Sequence, residues 1–92
     1  MTRDPVSWFV VEQGWEVVLG TDGELVGLVK EVLGDQNADI FDGLSVDSGL
    51  ISKAKYVPAE RVQMIVEGRV VLEMSKEEFD ALPDSDDAAP GA

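Results

Sequence analysis

GWEVVLGTDGELVGLVKEVLGD, residues Gly14 to Asp35, holds two apolar runs around one strong turn signal. Trp15 to Leu19 and Leu25 to Leu33 are rich in valine and leucine, with an aromatic residue at the head of the first. Such residues suit a pleated, half-buried surface. Thr21-Asp22-Gly23-Glu24 separates the runs, and Asp-Gly between apolar segments is the strongest short-range sign of a β-hairpin. Gly27 interrupts the second run. A glycine inside a strand weakens pairing and marks a bulge or a sharp bend.

The same rhythm continues outward from this hairpin, with strands at a spacing of roughly ten residues. Gly34 to Asp39 reads as a polar loop and Ile40 to Ser48 as the next strand. Leu44 and Val46 alternate there with Ser45 and Asp47, which predicts one buried and one wet face. Gly49 to Ala54 reads as a connection, and Lys55 to Pro58 as a short strand with its proline at an end or edge. Val62 to Glu67 and Arg69 to Met74 flank a second tight turn at Glu67-Gly68, with Val70, Leu72 and Met74 facing inward. Ser75-Lys-Glu-Glu is a capping box, so one short helix follows, docked by Phe79 and Leu82 and stopped by Pro83. Upstream, Met1 to Pro5 reads as a frayed start, and Val6 to Glu12 as a short strand or an irregular arm. The expected fold is all-β, a small, strongly bent antiparallel barrel of about six strands with one short C-terminal helix. Its expected organisation is an N-terminal arm over 1–13, the barrel domain over 14–83 and a disordered acidic tail over 84–92.

Ninety-two residues make one domain with one small core, burying about 60–65% of the surface of the unfolded chain. There is no cysteine and no histidine. The usual general base, thiolate chemistry and the commonest transition-metal ligands are therefore missing. Seven basic residues face nineteen acidic ones, for a net charge of −12. That balance repels a phosphate backbone and an anionic membrane, and favours a cationic protein patch. Acidity also keeps a small protein soluble whatever it binds. No apolar run approaches the length that spans a bilayer, and Trp8 to Val11 lacks the flanks of a signal peptide. The chain reads as cytoplasmic, without membrane insertion.

Few residues suggest chemistry. Carboxylate pairs such as Asp39 and Asp42 could serve acid–base catalysis. With nineteen acids in the chain, such pairs are expected by chance, and a cleft would be needed besides. Asp35, Asn37 and Asp39 match the first, third and fifth positions of a calcium loop. Ile40 and Val46 then stand where that loop needs glycine and glutamate. Gly20, Gly23 and Gly27 are too scattered for a phosphate loop. No catalytic residue, metal site or cofactor is expected. The one aromatic concentration is Trp8, Phe9 and Trp15, which either packs in the core or anchors an interface. Trp8, Phe9, Val11 and Trp15 are accordingly the candidate partner surface. Tyr56, Pro58 and Arg61 read as a structural corner.

The run from Gly14 to Asp35, together with DIFDGLSVDSG (Asp39 to Gly49), KYVPAERV (Lys55 to Val62) and EGRVVLEMSKEE (Glu67 to Glu78), resembles the PRC-barrel family. The resemblance covers roughly Gly14 to Leu82. Its most specific parts are Gly23 to Val32 and Tyr56-Val57-Pro58, which are folding signals rather than catalytic motifs. That family includes the cytoplasmic domain of the photosynthetic reaction centre H subunit and the C-terminal domain of the ribosome maturation factor RimM. The resemblance implies a bent antiparallel barrel that docks other macromolecules. This chain is similar to the stand-alone bacterial members, lacking the membrane helix of the H subunit and the N-terminal domain of RimM. The reading is a non-catalytic interaction or scaffolding module with a protein partner, which could be a second copy of itself. The alternatives are an auxiliary subunit of a photosynthetic or electron-transfer complex, or a ribosome-assembly factor.

Overall fold

The Asp22-Gly23 turn reverses the chain through its own polar groups. Asp22 Oδ1 accepts the Glu24 amide at 3.0 Å, and the Gly23 amide donates to the Leu19 carbonyl at 2.7 Å with Gly23 at φ 75°. Only glycine adopts that conformation freely. The computed structural model describes residues 7–35, 37–49 and 54–85. The frayed start over 1–5, Lys53 with most of its connection, and the acidic tail from residue 86 lie outside these residues.

Six strands form one sheet: β1 (Glu16–Leu19), β2 (Leu25–Asp35), β3 (Ile40–Asp47), β4 (Lys55–Pro58), β5 (Val62–Val66) and β6 (Arg69–Leu72). Their order across the sheet is β4-β3-β2-β1-β6-β5. The all-β class, the six strands and the short helix stand as expected. Two details differ. The pairing is mixed, because β1 and β6 run parallel, with Glu16 opposite Arg69 and Leu19 opposite Leu72. Hydrophobic alternation records which face of a strand is buried, not the direction of its neighbour. The parallel pair is also tied by Arg69 to Glu16 at 2.9 Å. Second, the ladder does not close: β4 and β5 are its two ends.

Curvature comes from bulges at three places in the β1–β3 region rather than from Gly27 alone. Register shifts leave Val26 and Lys30 of β2 and Asp42 of β3 without a direct partner. Each extra residue bends its strand and tightens the twist. Gly27 has its own reason, since a Cβ there would stand 2.5 Å from the Asp47 carbonyl oxygen. The sheet therefore wraps around a core of Val17, Leu19, Val29, Leu44, Val46, Val57, Val70 and Leu72, all close to fully buried. Val70, Leu72 and Met74 face inward, as their alternation predicts. Ser45 does not follow its own alternation: it is buried, in register between Glu31 of β2 and Tyr56 of β4.

The helix α1 (Lys76–Asp80) carries the full capping box. Ser75 Oγ accepts the Glu78 amide at 3.2 Å and Glu78 Oε1 accepts the Ser75 amide at 3.0 Å. Phe79 plugs the core, and Leu82 packs beside it. Glu78 also takes Arg61 at 2.7 Å. The Ser75 amide, and then Arg61, hold the Glu78 carboxyl below its ordinary value of 4.5. A carboxylate whose pKa falls on folding stabilises above its unfolded value and loses that stabilisation as pH drops. The thermal midpoint of the protein should thus exceed that of Glu78→Gln at neutral pH, and the gap should close as the pH falls below the ordinary carboxylate range. A gap of constant size across that range would show that the charge of Glu78 is irrelevant.

Candidate functional site

Ser7 begins the described chain as an N-cap, its Oγ accepting the Phe9 amide at 3.2 Å. The cap starts a single 3-10 turn over Trp8–Val10, so the segment expected as a strand or an arm is a short turn laid on the sheet. Three residues per turn splay the side chains apart. Trp8 is half-buried against the core, Phe9 and Val10 stay exposed, and Val11 is buried within the core. Trp15 is half-buried beside it, and the backbone of Gly14 and Trp15 extends the β1–β2 ladder through two bonds to Val29.

The four candidate interface residues therefore divide. Val11 is buried, Trp8 and Trp15 are half-buried against the core, and Phe9 is exposed. Trp8 stacks on Phe41 of β3 with ring centroids 5.1 Å apart and 13° between planes. Phe9 meets Trp8 edge-on at 4.7 Å. The Trp8 indole N–H donates to Asp39 Oδ1 at 3.3 Å, which fixes the ring across the turn between β2 and β3. Asp35 stabilises that same turn by accepting the Asn37 and Ala38 amides on Oδ1, the work of a turn-forming aspartate.

An apolar groove of about 260 Å³ lies at this place, walled by Trp8, Phe41, Ala59, Val62, Gln63, Met64 and Ile65. It lies between β5 on one side and Trp8, Phe41 of β3 and the Ala59–Arg61 3-10 turn on the other. Met64 is 43% exposed at its rim. Sequence reading missed Phe41 and Met64. Nothing in IFDGLSVD or VQMIV marks them, because the bulges at Asp42 and Gln63 decide which face each side chain takes.

The corner beside the groove is held by Tyr56, whose hydroxyl donates to the Asp42 carbonyl at 2.9 Å. The bulge leaves Asp42 without a direct partner in the β2–β3 register, and the phenol supplies a bond to its carbonyl. Burial raises the Tyr56 pKa, and the charges of Asp42 and Glu60 raise it further. Tyr56 is thus a neutral hydrogen-bond donor at any physiological pH.

Among the described residues, no three acids converge as a metal ion requires, and no helix is long and apolar enough to cross a membrane. The hollow beside Arg61 gathers Glu60, Glu73 and Glu78, but Arg61 is occupied by Glu78. The fold and this surface define a small β module with an apolar groove beside Asp39. Residues 13–79 match the PRC-barrel domain, and the chain belongs to the PRC-barrel family. No curated protein matches it.

Proposed function

We propose that the chain is a non-catalytic protein-interaction module, working in the cytoplasm, that engages its partner at the groove between Trp8, Phe41 and Met64. The observation that carries this reading is the groove itself: an apolar groove beside the end strand of the sheet that no described residue covers. Exposed apolar side chains gathered in one place mark interaction sites far more often than scattered ones do. Aromatic and methionine side chains are also the enriched anchors of protein interfaces. Fold alone carries little functional information. The auxiliary-subunit and ribosome-assembly readings rest on the fold, and no side chain described above favours either.

Self-association is the second reading, supported by the uncharged sequence of β5. A concentration series in the analytical ultracentrifuge separates the two, since a dimer would grow in with concentration.

Cross-linking in the native cell followed by affinity capture tests the site. Met64→Asp places a charge at the rim of the groove without touching the core, and it should cut partner recovery at least about tenfold. Leu25→Asp is the control, because Leu25 is also exposed (54%) but lines a different hollow. Equal recovery with the two variants would remove the groove from the function.

A further inference from the structure

The two end strands of the sheet are treated differently by the chain. The outer side of β4 is covered by the segment after the helix: the Tyr56 amide donates to the Pro83 carbonyl at 3.0 Å, the Ser85 amide to Ala54 at 2.7 Å, and Asp84 bridges Lys55. On the outer side of β5 no strand pairs, among the described residues. Its five residues, VQMIV, hold no charge and no proline, the guards that usually keep an edge from pairing with another chain. A bulge at Gln63 shortens the regular part. Counting back from the Val66–Arg69 pair at the two-residue turn, antiparallel alternation turns the N–H and C=O of Ile65 away from β6.

The groove runs alongside that edge. Its volume of about 260 Å³ falls below the ~300–1,000 Å³ typical of small-molecule sites and suits one side chain of a larger partner. Charge then selects the occupant. Among the described residues, no lysine or arginine lines the groove. Asp39 holds its Trp8 and Asp42 directly follows its lining residue Phe41 along the chain, while Glu60 lines the neighbouring hollow with Arg61. A second copy would bring another −12 and, across a two-fold axis, the same acids against these. A cationic segment meets no such opposition.

We infer that the groove receives an extended, lysine- or arginine-rich segment of a different protein, which adds along the outer edge of β5, seats one apolar side chain between Trp8, Phe41 and Met64, and sets its basic side chains toward Asp39 and Asp42. This inference rests on the interaction reading above and specifies its partner. Strand addition draws affinity from backbone bonds and specificity from the side-chain pocket.

The probe is a short synthetic peptide alternating lysine and valine around one phenylalanine, titrated into the ¹⁵N-labelled full chain. The amides of Val62 to Val66 and the Trp8 indole N–H should shift together. Replacing every lysine of the peptide by glutamate, or the phenylalanine by serine, should weaken binding at least about tenfold. Raising salt from about 50 to about 500 mM should weaken it by a similar factor. The combined variant Asp39→Asn, Asp42→Asn should also lose about tenfold; asparagine tolerates the positive φ of 53° at position 39 and can still accept from Trp8.

Equal binding of the acidic peptide, indifference to the phenylalanine, shifts confined to other strands, or no binding at millimolar peptide would each overturn the inference. So would concentration-dependent protection of the Ile65 amide in the absence of peptide, which would give the edge to a second copy. If the peptides fail while Met64→Asp still abolishes partner capture, the groove remains an interaction site and only its cationic occupant is refuted. If both fail, the interaction reading falls with it.

Discussion

Replacing Gly43 by alanine should cost the domain about 3–5 kcal/mol, from strain at its φ together with overpacking. Gly43 follows the Asp42 bulge on β3 and pairs with Pro58 of β4. Its φ of 157° is accompanied by a close crossing of the two strands: a Cβ there would stand 2.3 Å from the Val57 carbonyl oxygen and 3.0 Å from the Tyr56 ring. The first of these is backbone, which cannot swing aside as a flexible side chain can. Relief therefore has to come from moving β4 away from β3, which strains the bond from Tyr56 to Asp42 and disturbs the nearly inaccessible Val57. A domain of this size is stable by only about 5–14 kcal/mol, so the variant should unfold at much lower urea.

Gly14→Ala isolates the strain from the crowding. Gly14 also has a positive φ, 95°, but a Cβ there meets no atom within 4 Å. Its replacement should cost only about 1–2 kcal/mol. Equal losses in the two variants would show that backbone conformation alone sets the cost at Gly43, and that the close crossing of β3 and β4 is unimportant.

Particular residues explain why the strands could be read from the sequence and the groove could not. Asp22-Gly23, Glu67-Gly68 and the Ser75–Glu78 box act through neighbours in the chain, so their consequences are local and the sequence states them. The parallel pairing of β1 with β6 joins residues about fifty positions apart, and no local pattern encodes it. The same holds for the bulges. A single extra residue at Asp42 or Gln63 changes which face the following side chains take, and it is this change that brings Phe41 and Met64 to one seam with Trp8. Trp8 and Phe9 carried a composition signal, because aromatic residues at an exposed turn stand out. Met64 carried none. The acidity was legible as a charge but not as a place, since only the fold sets Asp39 against Trp8 and Asp42 at the corner with Tyr56.

Phe79→Ala should cost about 3–5 kcal/mol, the range for emptying a buried phenylalanine site, and it should also uncover the second end of the sheet. Phe79 is among the largest fully buried side chains, yet it belongs to a helix of only five residues. So short a helix has little stability of its own and is held by what it packs against. Beyond the core contact, Lys55 of β4 grips its end, donating to the Asp80 carbonyl at 2.9 Å and the Leu82 carbonyl at 3.4 Å. A cation suits that end of a helix, where the carbonyls lack partners. The helix in turn delivers Pro83 to Ser85 onto the outer side of β4. Loss of the Phe79 ring should therefore loosen the cover at that edge before it unfolds the sheet. Amide exchange reads the sequence of events. The Tyr56 amide, bonded outward to Pro83, should lose protection, while the amides of the β1–β2 ladder keep theirs until global unfolding. With both edges open the variant should also aggregate at concentrations the wild type tolerates. Ser75→Ala, which removes only the cap, should cost about 1 kcal/mol and leave the protein dispersed. A Phe79→Ala protein whose Tyr56 amide exchanges no faster than its core would mean that the segment after the helix binds β4 unaided. The cover on one edge and the opening on the other would then be independent features of the sheet.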